Sequence, residues 1–216
     1  MITINRRNLS LAAGMAAAVA LTAGALIAST ARADSGVAAG KPAPAFTATD
    51  SNGATVSLAD FAGHAVVLEW TNDGCPFVRK HYTNPPGNIQ GLQAAAAEDG
   101  TVWLTVVSSA PGKQGFVDGT RANELTRARK AVPAHVLLDP EGALGRLYGA
   151  KTTPQVFVIG PDGTLAYQGA IDSRASANVA DIATATNYVS AALNSLAGGE
   201  AVEMAVTKPY GCSVKY

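Results

Sequence analysis

The sequence predicts a mixed α/β domain with a central sheet of parallel and antiparallel strands and helices on both faces. Hydrophobic residues make up 48% of the 216 positions and charged residues 15%, a composition typical of globular proteins. Short apolar stretches rich in β-branched residues alternate along the chain with longer stretches of helical composition. No internal repeat or low-complexity segment interrupts that alternation after residue 33. Three layers around one core are therefore expected.

The first 33 residues have the three parts of an export signal. Arg6 and Arg7 form a basic start, residues 11–28 are uncharged, and residues 31–33 read Ala-Arg-Ala. The arginine pair fits a twin-arginine signal, but Ser10 stands where such signals usually carry an apolar residue, so Sec export stays open. An uncleaved membrane anchor is the alternative, since the apolar stretch is just long enough to span a bilayer. Its small residues favour cleavage after residue 33 and a periplasmic or secreted product.

The predicted organisation is a signal peptide over 1–33, a globular domain over 34–197 and a C-terminal tail over 198–216. Lys plus Arg and Asp plus Glu both total 16, so the chain has no basic surplus, which disfavours nucleic-acid binding. Two cysteines are too few for a disulfide framework or a four-thiolate zinc site. In an exported protein, however, those two thiols can be oxidised.

Seven strands are predicted, beginning with a hairpin whose Asn52-Gly53 turn supplies the positive φ angles that a tight turn needs. The other strands are short apolar or β-branched stretches, several of them long enough to be buried. The predicted strands cover residues 46–49, 55–57, 65–71, 101–107, 135–138, 155–159 and 165–168.

Helices are predicted between these strands. Pro133 ends one of them and Gly149 another, as expected for residues that stop helices. The last predicted helix has an approximate apolar face, and an extended tail follows it. The predicted helices cover residues 76–82, 88–98, 120–131, 141–148 and 178–196.

Cys75 directly follows a predicted buried strand and precedes a predicted helix. Because proline is favoured at the first helical position, Pro76 places Cys75 at the N-cap. Free amides of residues 77–78 and the positive end of the helix would then favour the thiolate, and Arg79 could add positive charge. Gly74 would allow another molecule to approach closely. The pattern predicts a nucleophilic thiolate of lowered pKa; a buried, inert cysteine is the alternative.

The sequence resembles the redoxin group of the thioredoxin-fold superfamily, which includes the alkyl hydroperoxide reductase and thiol-specific antioxidant proteins. It is most similar to the peroxiredoxin-like members. The resemblance lies in residues 66–80, 137–142, 148–154 and 160–169, and it extends over most of the chain from about residue 40. It implies a thioredoxin-like fold and a thiol oxidoreductase that needs no cofactor, since sulfur carries the electrons. It also implies a cis peptide bond before Pro154, beside the reactive thiol, with the Thr153 backbone available to a substrate.

Two departures from the relatives' motifs stand out. The Cys-x-x-Cys motif of thioredoxins is absent, because Val78 occupies the second cysteine position. The peroxiredoxin pattern Pro-x-x-x-Thr-x-x-Cys is also incomplete, with Leu68 at the proline position and Asn72 at the threonine position. The nearest threonine, Thr71, is therefore the candidate for that role.

Cys212 is the candidate partner thiol. It lies near the end of the tail, beside Gly211, where the chain could swing. A thiolate at Cys75 would attack peroxide to form a sulfenic acid, and Cys212 would condense with it to form a disulfide that an external dithiol then reduces. The two thiols could belong to one chain or to two chains of a homodimer. A permanent Cys75–Cys212 bond is the alternative, and it would contribute roughly 4–5 kcal/mol of stability.

Taken together, these features predict an exported thiol-dependent peroxidase with peroxide as substrate and an external dithiol as reductant. The second hypothesis is thiol–disulfide exchange with a protein disulfide substrate. A third is a copper-binding or partner-binding domain, in which His81 would join Cys75. The three histidines, His64, His81 and His135, have no metal-ligand spacing, so no metal site is predicted.

Overall fold

Seven strands form one mixed sheet in a computed structural model that describes residues 37–83 and 87–216. The predicted signal peptide of residues 1–33 lies outside the described residues. The strands of this sheet are β1 (Thr47–Asp50), β2 (Thr55–Ser57), β3 (Val66–Trp70), β4 (Val102–Val107), β5 (His135–Leu138), β7 (Gln155–Ile159) and β8 (Leu165–Gly169). A separate two-stranded ladder consists of β6 (Thr152–Thr153) and β9 (Cys212–Ser213).

The strand order in the large sheet is β2-β1-β5-β4-β3-β7-β8. The central pairs β3–β4 and β4–β5 are parallel, whereas β1, β2, β7 and β8 pair in antiparallel fashion. The predicted mixed sheet and its N-terminal hairpin are thus confirmed. The helices are α1 (Pro76–Tyr82), α2 (Asn88–Glu98), α3 (Gly119–Ala128), α4 (Ala143–Tyr148) and α5 (Tyr188–Ala197).

Apolar side chains fill a core on each face of the sheet. Because neighbouring side chains of a strand point to opposite faces, Leu68 and Trp70 pack on one side and Val67 on the other. The first side contacts buried residues of α4, and the second contacts buried residues of α1, α2 and α5. Helices therefore cover both faces, as predicted. Within the described residues, the longest apolar helix falls short of what a membrane crossing requires.

The last predicted helix is wrong in one respect. Instead of a continuous helix over 178–196, the chain forms a 3₁₀ helix over Val179–Thr184 and then restarts as α5. The Asn187 side chain accepts a hydrogen bond from the Ser190 N–H, and Asn187 also bridges to Asp172. The Asn187 cap and its backbone pairing with Asp172 thus interrupt a segment whose apolar spacing is otherwise helical.

The C-terminal tail is docked on the domain. In the β6–β9 ladder, Cys212 lies opposite Thr153. Beyond it, the Ala110 N–H donates to the Lys215 carbonyl (2.8 Å), and the Tyr216 hydroxyl donates to the Ala150 carbonyl (2.8 Å). The tail that the sequence leaves free to swing is held by strand pairing at Cys212 and by hydrogen bonds beyond it.

Candidate active site

The central strand β3 positions Cys75. All five residues of β3 are buried, and β3 pairs along its whole length with β4 on one side and β7 on the other. After a four-residue turn, the Cys75 N–H donates to the Asn72 carbonyl (3.0 Å), and α1 begins with Pro76. Cys75 occupies the N-cap as the sequence predicts, and its side chain is fully buried.

The Cys75 sulfur does not cap the helix as expected. The N–H groups of Val78 and Arg79 donate to the Cys75 carbonyl oxygen, at 3.1 and 3.0 Å, and the sulfur makes no capping hydrogen bond to the described backbone. The thiol instead reaches across to β6 and donates to the Thr153 carbonyl oxygen (3.2 Å). Among the described residues, no helix amide thus caps the thiol, although the Val78 amide lies where it favours the thiolate, as the sequence predicts.

Thr153 contributes more than one group at this point. Its peptide bond to Pro154 is cis, as the resemblance implies. Its carbonyl oxygen faces the Cys75 thiol, and its buried hydroxyl has no hydrogen-bond partner among the described residues. An unpartnered buried hydroxyl is costly, so it is well suited to donate to a thiolate that forms beside it.

Cys212 is the second thiol of the site. Its pairing with Thr153 brings it against the cluster that contains Cys75, and both cysteines are free thiols. Cys75 is fully buried, whereas Cys212 is partly exposed. The two sulfurs are thus brought together in one chain, across 137 positions of sequence (212 − 75).

The two thiols differ in their ionisation. Burial raises the pKa of the Cys75 thiol. The Cys212 side chain, the amides of Val78 and Cys212 and the Thr153 hydroxyl can all donate to the thiolate, and together they lower the pKa by more. The net pKa of Cys75 lies below that of an ordinary thiol. Burial and the neighbouring Cys75 raise the pKa of Cys212 to about 11. Cys75 therefore ionises first, with Cys212 as the proton-bearing neighbour.

Arg79 and Gly74 flank Cys75, and each contacts a group other than the sulfur. Arg79 is exposed, and its guanidinium donates to the carbonyl oxygens of Asp73 (3.1 Å) and Gly74 (3.4 Å), so it braces the turn before Cys75. Gly74 lies beneath the Gln114 side chain, which donates to the Gly74 carbonyl (3.1 Å).

Thr71 is buried, and its hydroxyl also lacks a hydrogen-bond partner in the described ranges. It lines a small cavity together with Tyr82 and Arg129, and Cys75 is not among the described lining residues. The structure therefore gives Thr71 a place beside the site and not at the sulfur.

A buried polar network lies behind Cys75, and sequence reasoning missed it. The Lys80 ammonium group of α1 is fully buried and donates to Asp172 Oδ2 and to the Arg174 carbonyl, both at 2.9 Å. The Tyr210 hydroxyl donates to the other Asp172 oxygen. The network could not be predicted from the sequence, because the partners of Lys80 lie 92 and 130 positions away. The sequence signal is a lysine on the inner side of a short helix.

His81 borders the same network. Burial lowers its pKa to about 4, with the Lys80 charge adding to that effect and the Asp172 charge opposing it, so the ring is neutral near pH 7. Its nitrogens contact the Asn88 side chain (2.8 Å) and the Tyr210 hydroxyl (3.3 Å). In the part of the chain that the structure describes, no three His, Cys, Asp or Glu side chains cluster as a metal site would require.

Glu69 fastens α1 to the sheet. This buried carboxyl group accepts hydrogen bonds from the Tyr82 hydroxyl (2.8 Å) and from the Trp103 indole N–H (2.9 Å). Burial raises its pKa despite these donors. Since Tyr82 is the last residue of α1, this contact helps to fix the helix that begins at Cys75.

Comparison with known proteins identifies the family. The model of the AhpC/TSA family matches residues 39–168, which include Cys75 and Pro154. The chain belongs to the AhpC/TSA family. It is accordingly a thiol oxidoreductase. The match ends before Asp172, Tyr210 and Cys212, so the tail lies beyond the part that the family model covers.

Solved structures of similar fold support the architecture. An uncharacterized conserved protein from Geobacillus kaustophilus has 21% identity and a TM-score of 0.68, covering 83% of this chain and 93% of its own. A hypothetical protein from Sinorhizobium meliloti 1021 has 21% identity and a TM-score of 0.70, covering 83% and 95%. A putative thiol:disulfide interchange protein DsbE from Chlorobium tepidum has 25% identity and a TM-score of 0.49, covering 61% and 84%. No curated protein matches the chain. The two structures with TM-scores of 0.68 and 0.70 match the architecture, and membership of the AhpC/TSA family confirms the predicted thioredoxin-like fold.

Proposed function

We propose that this protein is a thiol-dependent peroxidase in which Cys75 attacks peroxide and Cys212 of the same chain resolves the product. The observation that carries the proposal is the register of the β6–β9 ladder. It sets Cys212 opposite Thr153, whose carbonyl oxygen is 3.2 Å from the Cys75 sulfur. Two free thiols of unequal pKa, one buried and one partly exposed, then lie together in one site.

The chemistry takes three steps. The Cys75 thiolate attacks one peroxide oxygen, the O–O bond breaks, and an alcohol or water leaves with a proton while Cys75 becomes a sulfenic acid. The Cys212 sulfur then attacks the Cys75 sulfur, forming the disulfide and releasing water. Finally, an external dithiol is oxidised as it reduces the disulfide by two thiol exchanges.

The unequal pKa values match this order of events. A thiol that ionises below the ordinary range is the better nucleophile near neutral pH. The pKa of Cys212 is raised to about 11 partly by the charge of Cys75, and that charge disappears once Cys75 is a sulfenic acid. The oxidation of Cys75 thus promotes the ionisation of Cys212 at the moment when Cys212 is needed.

The surroundings of Cys75 favour a small oxidant over a protein disulfide. Its side chain is fully buried, and the Thr153 backbone is already paired with Cys212. A peptide substrate that used this backbone would first have to displace the tail. Cys212 is partly exposed, so we propose that the external dithiol attacks there and expels Cys75, the better leaving group because of its lower pKa.

The test is oxidation of the reduced protein by hydrogen peroxide, read by mass. Wild type should lose two hydrogens as the disulfide forms, and Cys212→Ser should gain one oxygen at Cys75 that dimedone traps. Cys75→Ser should not react, which controls for oxidation at Cys212. Indifference to peroxide, combined with rapid exchange with a peptide disulfide, would instead favour the thiol–disulfide hypothesis. A disulfide that resists reduction at catalytic potentials would favour a structural bond.

Export to the periplasm or beyond is part of the proposal. It rests on the N-terminal pattern of Arg6, Arg7 and the Ala-Arg-Ala sequence at 31–33. Fractionation of cells that express the full chain, followed by N-terminal sequencing, should find the protein outside the cytoplasm and beginning at residue 34. An intact N-terminus on a cytoplasmic protein would contradict export.

A further inference from the structure

Tyr210, in the C-terminal segment, contacts the helix that begins directly after Cys75. We propose that Tyr210 is a positioning residue that holds Cys212 against Cys75. The inference rests on the proposed role of Cys212 as the resolving thiol. It adds a residue that belongs to neither thiol and lies outside the part of the chain that the family model matches.

Tyr210 is joined to α1 by several contacts. Its hydroxyl donates to Asp172, which also binds the buried Lys80, and it lies 3.4 Å from the Lys80 nitrogen. His81 Nε2 lies 3.3 Å from the same hydroxyl. Because the Asn88 amide faces His81 Nδ1 at 2.8 Å, the neutral ring carries its proton on Nε2 and donates it to Tyr210. The Tyr210 ring also packs edge-on against Phe77, with 5.9 Å between ring centroids.

These contacts connect the two thiols by a short path. Phe77, Lys80 and His81 belong to the helix that begins directly after Cys75, and only Gly211 separates Tyr210 from Cys212. At Gly211, φ is 130°, and a side chain there would collide with the Thr153 carbonyl oxygen. The chain between anchor and thiol therefore has little room to shift.

The strand pairing around Cys212 needs such an anchor. The β6–β9 ladder is only two residues long, and so short a ladder is marginal by itself. The hydrogen bond from Tyr210 to Asp172 is made to a charged group, which is the stronger kind. We therefore expect Tyr210 to supply much of what keeps Cys212 in reach of Cys75.

The test is the equilibrium between the protein dithiol and glutathione. In this exchange the protein dithiol is oxidised to the Cys75–Cys212 disulfide, while one glutathione disulfide is reduced to two glutathione thiols. The equilibrium constant reports how effectively the fold brings the two sulfurs together. Acid quenching, alkylation and mass spectrometry give the oxidised fraction. In Tyr210→Phe the constant should fall by about tenfold, the effect of one lost hydrogen bond to a charged group.

Tyr188→Phe is the matched control. Tyr188 lies near Tyr210 at the same groove, and its hydroxyl has no hydrogen-bond partner in the two described ranges. The equilibrium constant of Tyr188→Phe with glutathione should stay within about twofold of wild type. Phe77→Leu removes the ring contact with Tyr210 and keeps an apolar side chain against the core. It should lower the constant by about two- to threefold, and it keeps the test open if Tyr210→Phe does not fold. A constant for Tyr210→Phe within twofold of wild type, in a folded protein, would overturn the proposal.

Peroxide oxidation separates this inference from the proposed function. At a pH high enough to ionise Cys75 in both proteins, sulfenic acid should form in Tyr210→Phe at the wild-type rate, while its conversion to the disulfide slows by about tenfold. If wild type does not react with peroxide, the peroxidase proposal fails and the glutathione constants still decide the role of Tyr210. A variant that is merely less stable would lose thermal stability with no change in the constant, which would also contradict a positioning role.

Discussion

The segments that carry Cys75 and Cys212 are held in place by different means. Cys75 follows β3, which is paired on both sides and fully buried. Cys212 lies in a two-residue ladder at the end of the chain and depends on side-chain contacts such as that of Tyr210 with Asp172. The attacking sulfur is thus built into the core, whereas its partner is held at the end of the chain by a short ladder and by side-chain contacts.

The largest effect is expected from changing Asp172, which binds Lys80 of α1 and Tyr210 of the C-terminal segment. Asp172→Asn leaves the Lys80 charge buried without a counter-ion, so the free energy of unfolding should fall by about 3–5 kcal/mol. Urea denaturation measures it. Glu124→Gln, which breaks the exposed Arg121–Glu124 pair, is the control and should change it by less than about 0.5 kcal/mol. Equal, small effects of the two substitutions would mean that the buried pair does not hold the segments together.

A smaller effect is expected from removing the Cys212 thiol, which donates a hydrogen bond to the Cys75 thiolate. Cys212→Ala takes away the thiol that lowers the pKa of Cys75, so that pKa should rise. Since a higher pKa leaves less thiolate at a given pH, peroxide oxidation of Cys75 should slow roughly tenfold at pH 6 and recover at high pH. Stopped-flow rates across a pH series measure this. Cys212→Ser keeps a hydroxyl donor, so its oxidation rate at pH 6 should fall by less. Identical pH profiles for wild type, Cys212→Ala and Cys212→Ser would show that Cys212 does not influence the pKa of Cys75.

The smallest effect concerns the buried hydroxyl of Thr153. Thr153→Val removes a group that lowers the pKa of Cys75, and the pH profile of peroxide oxidation should shift upward by less than in Cys212→Ala. A two- to fivefold slower reaction at pH 6 is about what one weak hydrogen bond provides. Thr152→Val is the control, because that hydroxyl contacts the Pro154 carbonyl (3.4 Å) instead. Equal profiles for the two variants would exclude a role for the Thr153 hydroxyl.

The same contrast explains what could be predicted from the sequence. The strand that ends before Cys75 and the helix that begins at Pro76 are local patterns, and both helix α1 and strand β5 have the predicted bounds. The fold class follows from the same periodicities. The cis bond before Pro154 came from family resemblance and not from the local pattern.

The remainder depends on contacts between distant positions. Nothing near Cys212 indicates that it pairs with Thr153, and nothing near Lys80 indicates Asp172 or Tyr210. Arg79 has the spacing to reach the sulfur, yet its guanidinium binds backbone carbonyl groups that lie closer along its path. Side-chain direction and long-range pairing decide these outcomes, and residue spacing does not encode them.

Ionisation of Cys75 in the presence of Cys212 is the central claim, and thiolate absorbance at ultraviolet wavelengths tests it most directly. Cys75 is fully buried, so its rate of alkylation would depend on access of the reagent as well as on ionisation. Absorbance reports ionisation alone. The reduced wild-type protein should show one thiol that titrates below the range of free cysteine and a second with a pKa of about 11, and Cys75→Ser should lack the first. A first transition at or above the range of free cysteine, or one that persists in Cys75→Ser, would contradict the account.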